Sequence, residues 1–137
     1  MCLGSEALQG GGAKLNQVTI ERHPSPNFGP RRGVKGPSLI VLHYTAMSSL
    51  AAALERLTDP QHEVSAHYII DQRGRVIQLV AEAQRAWHAG TGFWGPYCDI
   101  NSASIGVELC NTGDHKFPEL QMVALKALLG EVKQRWA

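Results

Sequence analysis

The sequence lacks a long apolar run, an excess of one charge and a regular cysteine pattern. No window approaches the roughly eighteen consecutive apolar residues of a membrane span, so no such span is predicted. Thirteen Lys and Arg residues against twelve Asp and Glu leave a net charge of +1, which gives no reason to expect a nucleic-acid partner. Cys2, Cys98 and Cys110 match neither a metal knuckle nor a disulfide framework, so we expect free thiols in a reducing compartment.

The N-terminal stretch "MCLGSEALQGGGAK" also lacks a basic segment followed by an apolar one, so it predicts no secretory signal. We therefore expect a cytoplasmic protein, or a periplasmic one if a signal sequence precedes this start. Small residues and three successive glycines predict a flexible lead-in over residues 1–17. The remaining residues, 18–137, are enough for one domain with a core of its own.

Hydrophobic patterning predicts alternating strands and helices along this domain. Residues 18–36 are rich in Pro, Gly and Arg and predict an extended, ordered loop. Leu39 to Leu42 predict a strand buried on both faces, and Ser48 or Ser49 would cap a helix starting at Leu50. Residues 64–70 and 75–80 flank Asp71-Gln72-Arg73-Gly74 and predict a hairpin. We expect an α/β fold with a mixed central sheet flanked by helices.

Two later segments complete the predicted fold. In "SIGVELC" the apolar residues Ile105, Val107 and Leu109 alternate with Gly106, Glu108 and Cys110, which predicts a strand with two different faces. The segment from Phe117 to Ala137 predicts a helix. Its expected inward stripe consists of Leu120, Val123, Ala124, Ala127, Leu128 and Val132.

His43 is the first candidate for chemistry, because it follows four apolar residues at the expected carboxyl end of a strand. A neutral imidazole at such a rim is a good zinc ligand. The same position also suits a histidine that is hydrogen-bonded to a neighbouring carbonyl. The spacing alone leaves both interpretations open.

Glu108 and the loop "AWHAGTGFWGPY" are the other candidates. Glu108 lies opposite the apolar face of its strand, where it either meets solvent or lines a cleft as a general acid or base. Gly106 on the same face leaves space beside it. In the loop, Trp87, Trp94 and Tyr97 either stack on sugar rings or pack on the core. The remaining histidines show no HxH or HxxxH spacing, so the residues alone do not establish a metal site.

Four segments in this order resemble the zinc-dependent N-acetylmuramoyl-L-alanine amidases of type 2, a family similar in fold to the peptidoglycan recognition proteins. The segments are "SLIVLHYTA", "VSAHYIIDQRGRVIQLV", "AWHAG" and "SIGVELCNTG". The resemblance spans residues 39–113 and extends through the last helix. It implies hydrolysis of the amide between N-acetylmuramic acid and L-alanine in peptidoglycan or its fragments.

The same resemblance implies roles for single residues. His43 would be a Zn²⁺ ligand, and Glu108 would be the catalytic acid and base. Trp87 and His88 would bind substrate, with Asn111 as a further contact, while His67 would support the site rather than bind metal. The zinc ion would polarise the carbonyl and activate a water molecule.

The chain departs from the family at its end. The other two zinc ligands of the family lie beyond the last long helix, and this sequence stops at Ala137. We therefore expect an amidase-like domain that is incomplete at its C-terminus and inactive if truncated. The alternative is a non-catalytic module that binds peptidoglycan or muropeptides. The oligomeric state is not predicted.

Overall fold

The structure is a computed structural model, and it describes residues 17–137. Nearly all of the predicted lead-in, together with Cys2, lies outside the described residues, so the division into residues 1–17 and 18–137 stays a prediction. Within the described range the chain forms seven strands, three α-helices and one 3₁₀ turn at Pro60–His62. The strands are β1 (Ile20–Arg22), β2 (Phe28–Pro30), β3 (Leu39–Tyr44), β4 (Tyr68–Ile70), β5 (Val76–Gln78), β6 (Gln84–Ala86) and β7 (Ser104–Leu109). The helices are α1 (Leu50–Thr58), α2 (Ile100–Ala103) and α3 (Glu119–Trp136).

Five of these strands form one mixed sheet in the order β1-β5-β4-β7-β3. β7 pairs in parallel with both β3 and β4, while β4 and β5 are antiparallel. β2 and β6 form a separate two-stranded sheet. This arrangement confirms the predicted α/β class with a mixed central sheet and flanking helices.

The hairpin between β4 and β5 is confirmed, although its strands are shorter than predicted. The turn is closed by Asp71, whose carboxylate oxygen Oδ1 accepts hydrogen bonds from the backbone N–H groups of Arg73 at 2.9 Å and Arg75 at 2.8 Å. Gly74 has a φ of +84°, a conformation that favours glycine. Turn chemistry visible in the sequence therefore sets the register of this pair.

Helix α1 also begins where its sequence predicts. The Ser49 side chain accepts a hydrogen bond from the backbone N–H of Ala52 at 3.1 Å, which caps the helix. Ala53 and Leu57 are buried against Ile69 and Ile77 on one face of the sheet. The helix thus covers the face opposite to the one that α3 covers.

The prediction that β3 is buried on both faces is wrong. β3 lies at an edge of the sheet, and Leu42 and Tyr44 are 47% and 53% exposed. The core under α3 is centred on β4 and β7, and Ile40 is the β3 residue that packs partly against it. The short apolar run reflects a sheet edge here, which four apolar letters cannot distinguish from a central strand.

The predicted stripe of α3 is also wrong in part. Leu120 and Val123 are 62% and 59% exposed, whereas Gln121, Leu125, Leu128 and Val132 are buried. Gln121 can occupy the core because its side-chain amide donates to the carbonyls of Ile70 at 2.9 Å and Cys110 at 3.1 Å. Because Gln121 has these partners, the buried face of the helix includes a polar residue and differs from the face that the apolar residues alone predict.

Residues 18–36 are extended, as predicted, but they also contribute the short strands β1 and β2. Arg31 directly follows β2 and reaches into the interior of the domain. Cys98 and Cys110 are free thiols, as expected for the two cysteines within the described range. Across residues 17–137 no helix is long and apolar enough to cross a membrane.

Candidate active site

The candidate site is built on the parallel pair of β3 and β7, whose register places His43 directly opposite Glu108. Side chains at paired positions of neighbouring strands lie on the same face of the sheet. On β7, Ile105, Val107 and Leu109 face the core under α3, so Gly106 and Glu108 face the other side. The alternation predicted for "SIGVELC" therefore places Glu108 and His43 on one face.

His88 fills the space above Gly106. A Cβ atom at position 106 would lie 2.4 Å from Cγ and Cδ2 of His88, so only glycine accommodates the imidazole there. The Nδ1 atom of His88 lies 2.9 Å from Nε2 of His43, and its Nε2 atom lies 3.0 Å from Oγ of Ser104. The loop that carries His88 is held by Asn101, whose Oδ1 atom accepts from the N–H groups of His88 and Ala89 at 3.0 and 2.8 Å.

Burial favours the neutral form of both imidazoles. Burial lowers the pKa of His43 below its usual value. Burial lowers the pKa of His88 to about 3, and the neighbouring His43, His67, Arg31 and Arg85 act in the same direction. Neutral imidazoles can donate one hydrogen bond and offer one lone pair.

Glu108 is perturbed in the opposite direction. Burial raises the pKa of its carboxyl group from 4.5 to about 7. Its Oε2 atom is buried and has no hydrogen-bond partner among residues 17–137. A glutamate that titrates near neutral pH and has an unpaired oxygen is suited to accept and release a proton.

A cavity of about 140 Å³ joins several of the predicted residues. Three of the predicted residues line this cavity: Glu108, Trp87 and His88. The other lining residues belong to β3, to α1 and to the segments that follow each of them, namely Tyr44, Thr45, Met47, Ala53, Arg56, Leu57, Val64 and Ser65. His43 lines a neighbouring cavity with Phe93 and Trp94. The structure thus brings His43, Glu108, Trp87 and His88 together from three separate parts of the sequence.

Asn111 does not line the cavity that holds Glu108. It is buried, its Nδ2 atom donates to the carbonyl of His115 at 3.2 Å, and its Oδ1 atom accepts from the N–H of Gly113 at 2.7 Å. These contacts shape the loop after β7. A substrate contact by Asn111 stays a prediction.

Trp94, in the aromatic loop, is not packed into the core. Trp94 is 70% exposed, and its backbone exchanges hydrogen bonds of 2.8 and 3.0 Å with Tyr97. Gly95 between them has a φ of +55°. The turn therefore presents the Trp94 side chain to solvent beside the cavity that His43 lines.

His67 has both ring nitrogens engaged within the protein. Nδ1 accepts from the backbone N–H of Gly106 at 3.0 Å, and Nε2 donates to the carbonyl of Gln84 at 2.8 Å. Burial is the main cause that lowers its pKa to about 4. Both ring nitrogens are therefore used inside the protein, and a supporting role for His67 stays a prediction.

A catalytic zinc ion takes three protein ligands and keeps one position open. Residues 17–137 contain no group of three His, Cys, Asp or Glu side chains that could hold a metal ion. His43 has the chemistry of one ligand, because it is neutral and partly accessible. The described residues therefore fit a single zinc ligand and do not fit a complete zinc site.

Three residues of the site were not predicted from the sequence: Arg31, Asn101 and Ser104. The Arg31 guanidinium donates to the carbonyls of Glu82 at 2.6 Å, Ser102 at 2.6 Å and Ser104 at 2.9 Å. These partners lie 51 to 73 residues away in the sequence. No local spacing signals such contacts, since they exist only once the chain has folded.

Comparisons with known proteins show which family this chain matches. Residues 33–137 match the N-acetylmuramoyl-L-alanine amidase family, Amidase_2. The chain is 40% identical over 85 residues to the N-acetylmuramoyl-L-alanine amidase AmiD of Escherichia coli, covering 57% of this chain and 30% of AmiD. It is 30% identical over 128 residues to the 1,6-anhydro-N-acetylmuramyl-L-alanine amidase AmpD of Escherichia coli, covering 81% of this chain and 70% of AmpD.

Solved structures show the same likeness. A crystal structure of AmpD superposes with a TM-score of 0.73 at 29% identity, covering 85% of this chain and 74% of that one. The complex of Escherichia coli AmiD with anhydro-N-acetylmuramic acid-L-Ala-D-gamma-Glu-L-Lys superposes with a TM-score of 0.64 at 32% identity, covering 81% of this chain and 45% of that one. The family match, the fold and the paired His43 and Glu108 lead to one conclusion: the chain belongs to the N-acetylmuramoyl-L-alanine amidase family.

Proposed function

We propose that this protein hydrolyses the amide bond between the lactyl group of N-acetylmuramic acid and the L-alanine of a muropeptide. Family membership supports this reaction. The observation that carries the proposal is the buried Oε2 atom of Glu108, which faces the cavity side of β7 opposite His43 and has no hydrogen-bond partner in the described part of the chain. An unsatisfied buried carboxyl oxygen is costly to the fold and is typical of a functional site.

In this proposal Glu108 handles the proton. Its ionised form accepts a proton from the attacking water, and its protonated form then returns that proton to the departing amine of L-alanine. A pKa of about 7 suits both steps, because the two forms coexist near neutral pH. The products are the N-acetylmuramic acid with a free lactyl carboxylate and the released L-alanyl peptide.

His43 is proposed as one ligand of a zinc ion, in keeping with the family resemblance. Residues 17–137 do not supply a complete ligand set for this ion. The contribution of this chain is a neutral imidazole held at the edge of the sheet by its contact with His88. Trp87, which lines the Glu108 cavity, is proposed to contact the substrate.

The substrate is proposed to be a muropeptide that contains N-acetylmuramic acid. AmiD was solved with anhydro-N-acetylmuramic acid-L-Ala-D-gamma-Glu-L-Lys, and AmpD is a 1,6-anhydro-N-acetylmuramyl-L-alanine amidase. The chain spans 30% of the length of AmiD and 70% of the length of AmpD.

An assay with that anhydromuropeptide tests the proposal. The purified chain is incubated with the muropeptide and Zn²⁺, and mass spectrometry follows release of the L-Ala-D-gamma-Glu-L-Lys peptide. Glu108→Gln should lower turnover by about 10²–10⁴-fold. Glu55→Gln on the exposed surface of α1 is the control and should leave turnover unchanged.

Two outcomes would contradict the proposal. Equal turnover by Glu108→Gln and the unchanged chain would remove Glu108 from the reaction. Saturable binding of the muropeptide without any released peptide, by a protein that holds Zn²⁺ stoichiometrically, would instead support the alternative, a non-catalytic muropeptide-binding module.

A further inference from the structure

We propose that Ser104 is a positioning residue, which acts through His88 to hold His43 in the tautomer with hydrogen on Nε2 and a free lone pair on Nδ1. The significance for metal binding rests on the proposed function. The tautomer itself follows from three hydrogen bonds and can be measured without any substrate or metal.

The chain of hydrogen bonds begins at Ser104, a fully buried residue. Its hydroxyl group donates to the carbonyl of Ile100 at 2.6 Å. A serine hydroxyl has one hydrogen, so this donation leaves Oγ only as an acceptor toward His88. The contact of 3.0 Å between Oγ and Nε2 of His88 is therefore donated by the imidazole.

The direction of that bond decides the state of His88. A neutral imidazole carries one N–H, and His88 uses it on Ser104. Its Nδ1 atom is then an acceptor, so the 2.9 Å contact with His43 is donated by Nε2 of His43. The two rings meet edge to face, at 68° and with centroids 5.1 Å apart.

His43 in turn has a single N–H when neutral, and that N–H is spent on His88. Its Nδ1 atom keeps the lone pair, and no described residue forms a hydrogen bond with it. Metal-binding histidines commonly donate their second nitrogen to a protein group that fixes tautomer and ring orientation. Here that group is an imidazole whose own orientation comes from Ser104.

The reverse direction of the chain is disfavoured by the fold. If Ser104 donated to His88, the Ile100 carbonyl would lose its 2.6 Å partner beside a fully buried residue. The short helix α2 holds this carbonyl in place, because Asp99 caps it and is itself paired with Arg85 at 2.9 Å. The anchor of the chain is thus a rigid piece of backbone.

Long-range ¹H–¹⁵N correlation NMR of the ¹⁵N-histidine-labelled chain tests the proposal, since it reports which ring nitrogen carries hydrogen. At neutral pH we expect His43 and His88 each to show one tautomer, protonated on Nε2. Finding hydrogen on Nδ1 of His43, or a mixture of both tautomers, would overturn the proposal. The result is independent of amidase activity, so failure of the proposed function leaves this measurement interpretable.

Variants separate positioning from stability. Ser104→Ala should convert the single tautomer of His43 into a mixture, and Ser104→Cys is the second variant if Ser104→Ala does not fold. Ser25→Ala is the matched control, because Ser25 is a buried serine that also donates to a carbonyl, that of Leu57, at 2.6 Å. It should lose stability and keep the His43 tautomer. An unchanged His43 tautomer in folded Ser104→Ala or Ser104→Cys would overturn the role of Ser104.

Discussion

His43 and Glu108 face each other across the parallel pair of β3 and β7, 65 residues apart in sequence and at the same level of the sheet. One is an imidazole whose pKa is lowered by burial, and the other is a carboxyl group whose pKa burial raises to about 7. The strands hold the two groups rigidly, because the register continues for six residue pairs. This pairing makes His43 and Glu108 candidates for the chemistry of amide hydrolysis.

Replacing Gly106 by alanine should displace the His88 ring that packs on this glycine. The new Cβ atom would lie 2.4 Å from the His88 ring, so His88 must move away from His43. Overpacking of this kind costs about 1–3 kcal/mol, which chemical denaturation measures. Gly29→Ala in β2 is the control, since its Cβ would meet no atom of the described residues within 4 Å. Equal stability of the two variants would show that His88 does not occupy this position.

Stability should depend on pH through Glu108. Its pKa is raised from 4.5 to about 7 in the folded chain, so between these values the folded state binds more protons than the unfolded state. The free energy of unfolding contributed by this group therefore falls as pH rises from about 4.5 to 7, by about 2–3 kcal/mol. Glu108→Gln should remove that slope in urea titrations at a series of pH values. Parallel pH profiles for the two proteins would contradict this prediction.

Arg31→Lys should destabilise the chain despite keeping its charge. The Arg31 guanidinium links the Glu82 carbonyl to the carbonyls of Ser102 and Ser104, and an ammonium group cannot span the same acceptors. We expect a loss of about 2 kcal/mol in the free energy of unfolding. The neighbouring exposed Arg32 provides the control, and Arg32→Lys should change stability by less than about 0.5 kcal/mol. A similar small effect for both would show that Arg31 does not link these segments.

Glu82 should matter more than a comparable surface glutamate. Its carboxylate accepts hydrogen bonds from Tyr68 at 2.6 Å, from Trp136 at 2.6 Å and from two nitrogens of Arg135, which ties the end of α3 to the sheet. Glu82→Ala leaves these donors unpaired and should cost about 2–3 kcal/mol in thermal or urea unfolding.

Glu21 offers the comparison for Glu82, because it also forms an Arg–carboxylate pair, with Arg75 at 2.7 Å, but both partners are half exposed. Solvent screens such a pair, so Glu21→Ala should have little effect. If Glu21→Ala is as destabilising as Glu82→Ala, burial does not explain how much the Glu82 hydrogen bonds contribute to the free energy of unfolding.

Much of this protein was readable from local sequence. Ser49 caps α1, Asp71 and Gly74 close the hairpin, and the alternation in "SIGVELC" places Glu108 on the face opposite the core. Each of these features depends on residues within a few positions of one another. The ordered segments around His43, His88 and Glu108 also sufficed to indicate the amidase family, which the match over residues 33–137 confirms.

Only the tertiary structure decided the rest. The edge position of β3 depends on which strands pair with it. The burial of Gln121 in place of Leu120 depends on the carbonyl groups that its side chain meets. The pKa of Glu108 and the contacts of His88 with His43 and Ser104 arise from burial and from strands and loops that meet across long sequence separations. Sequence determined which residues could do chemistry, and folding determined their distances and their desolvation, because both are properties of packed neighbours.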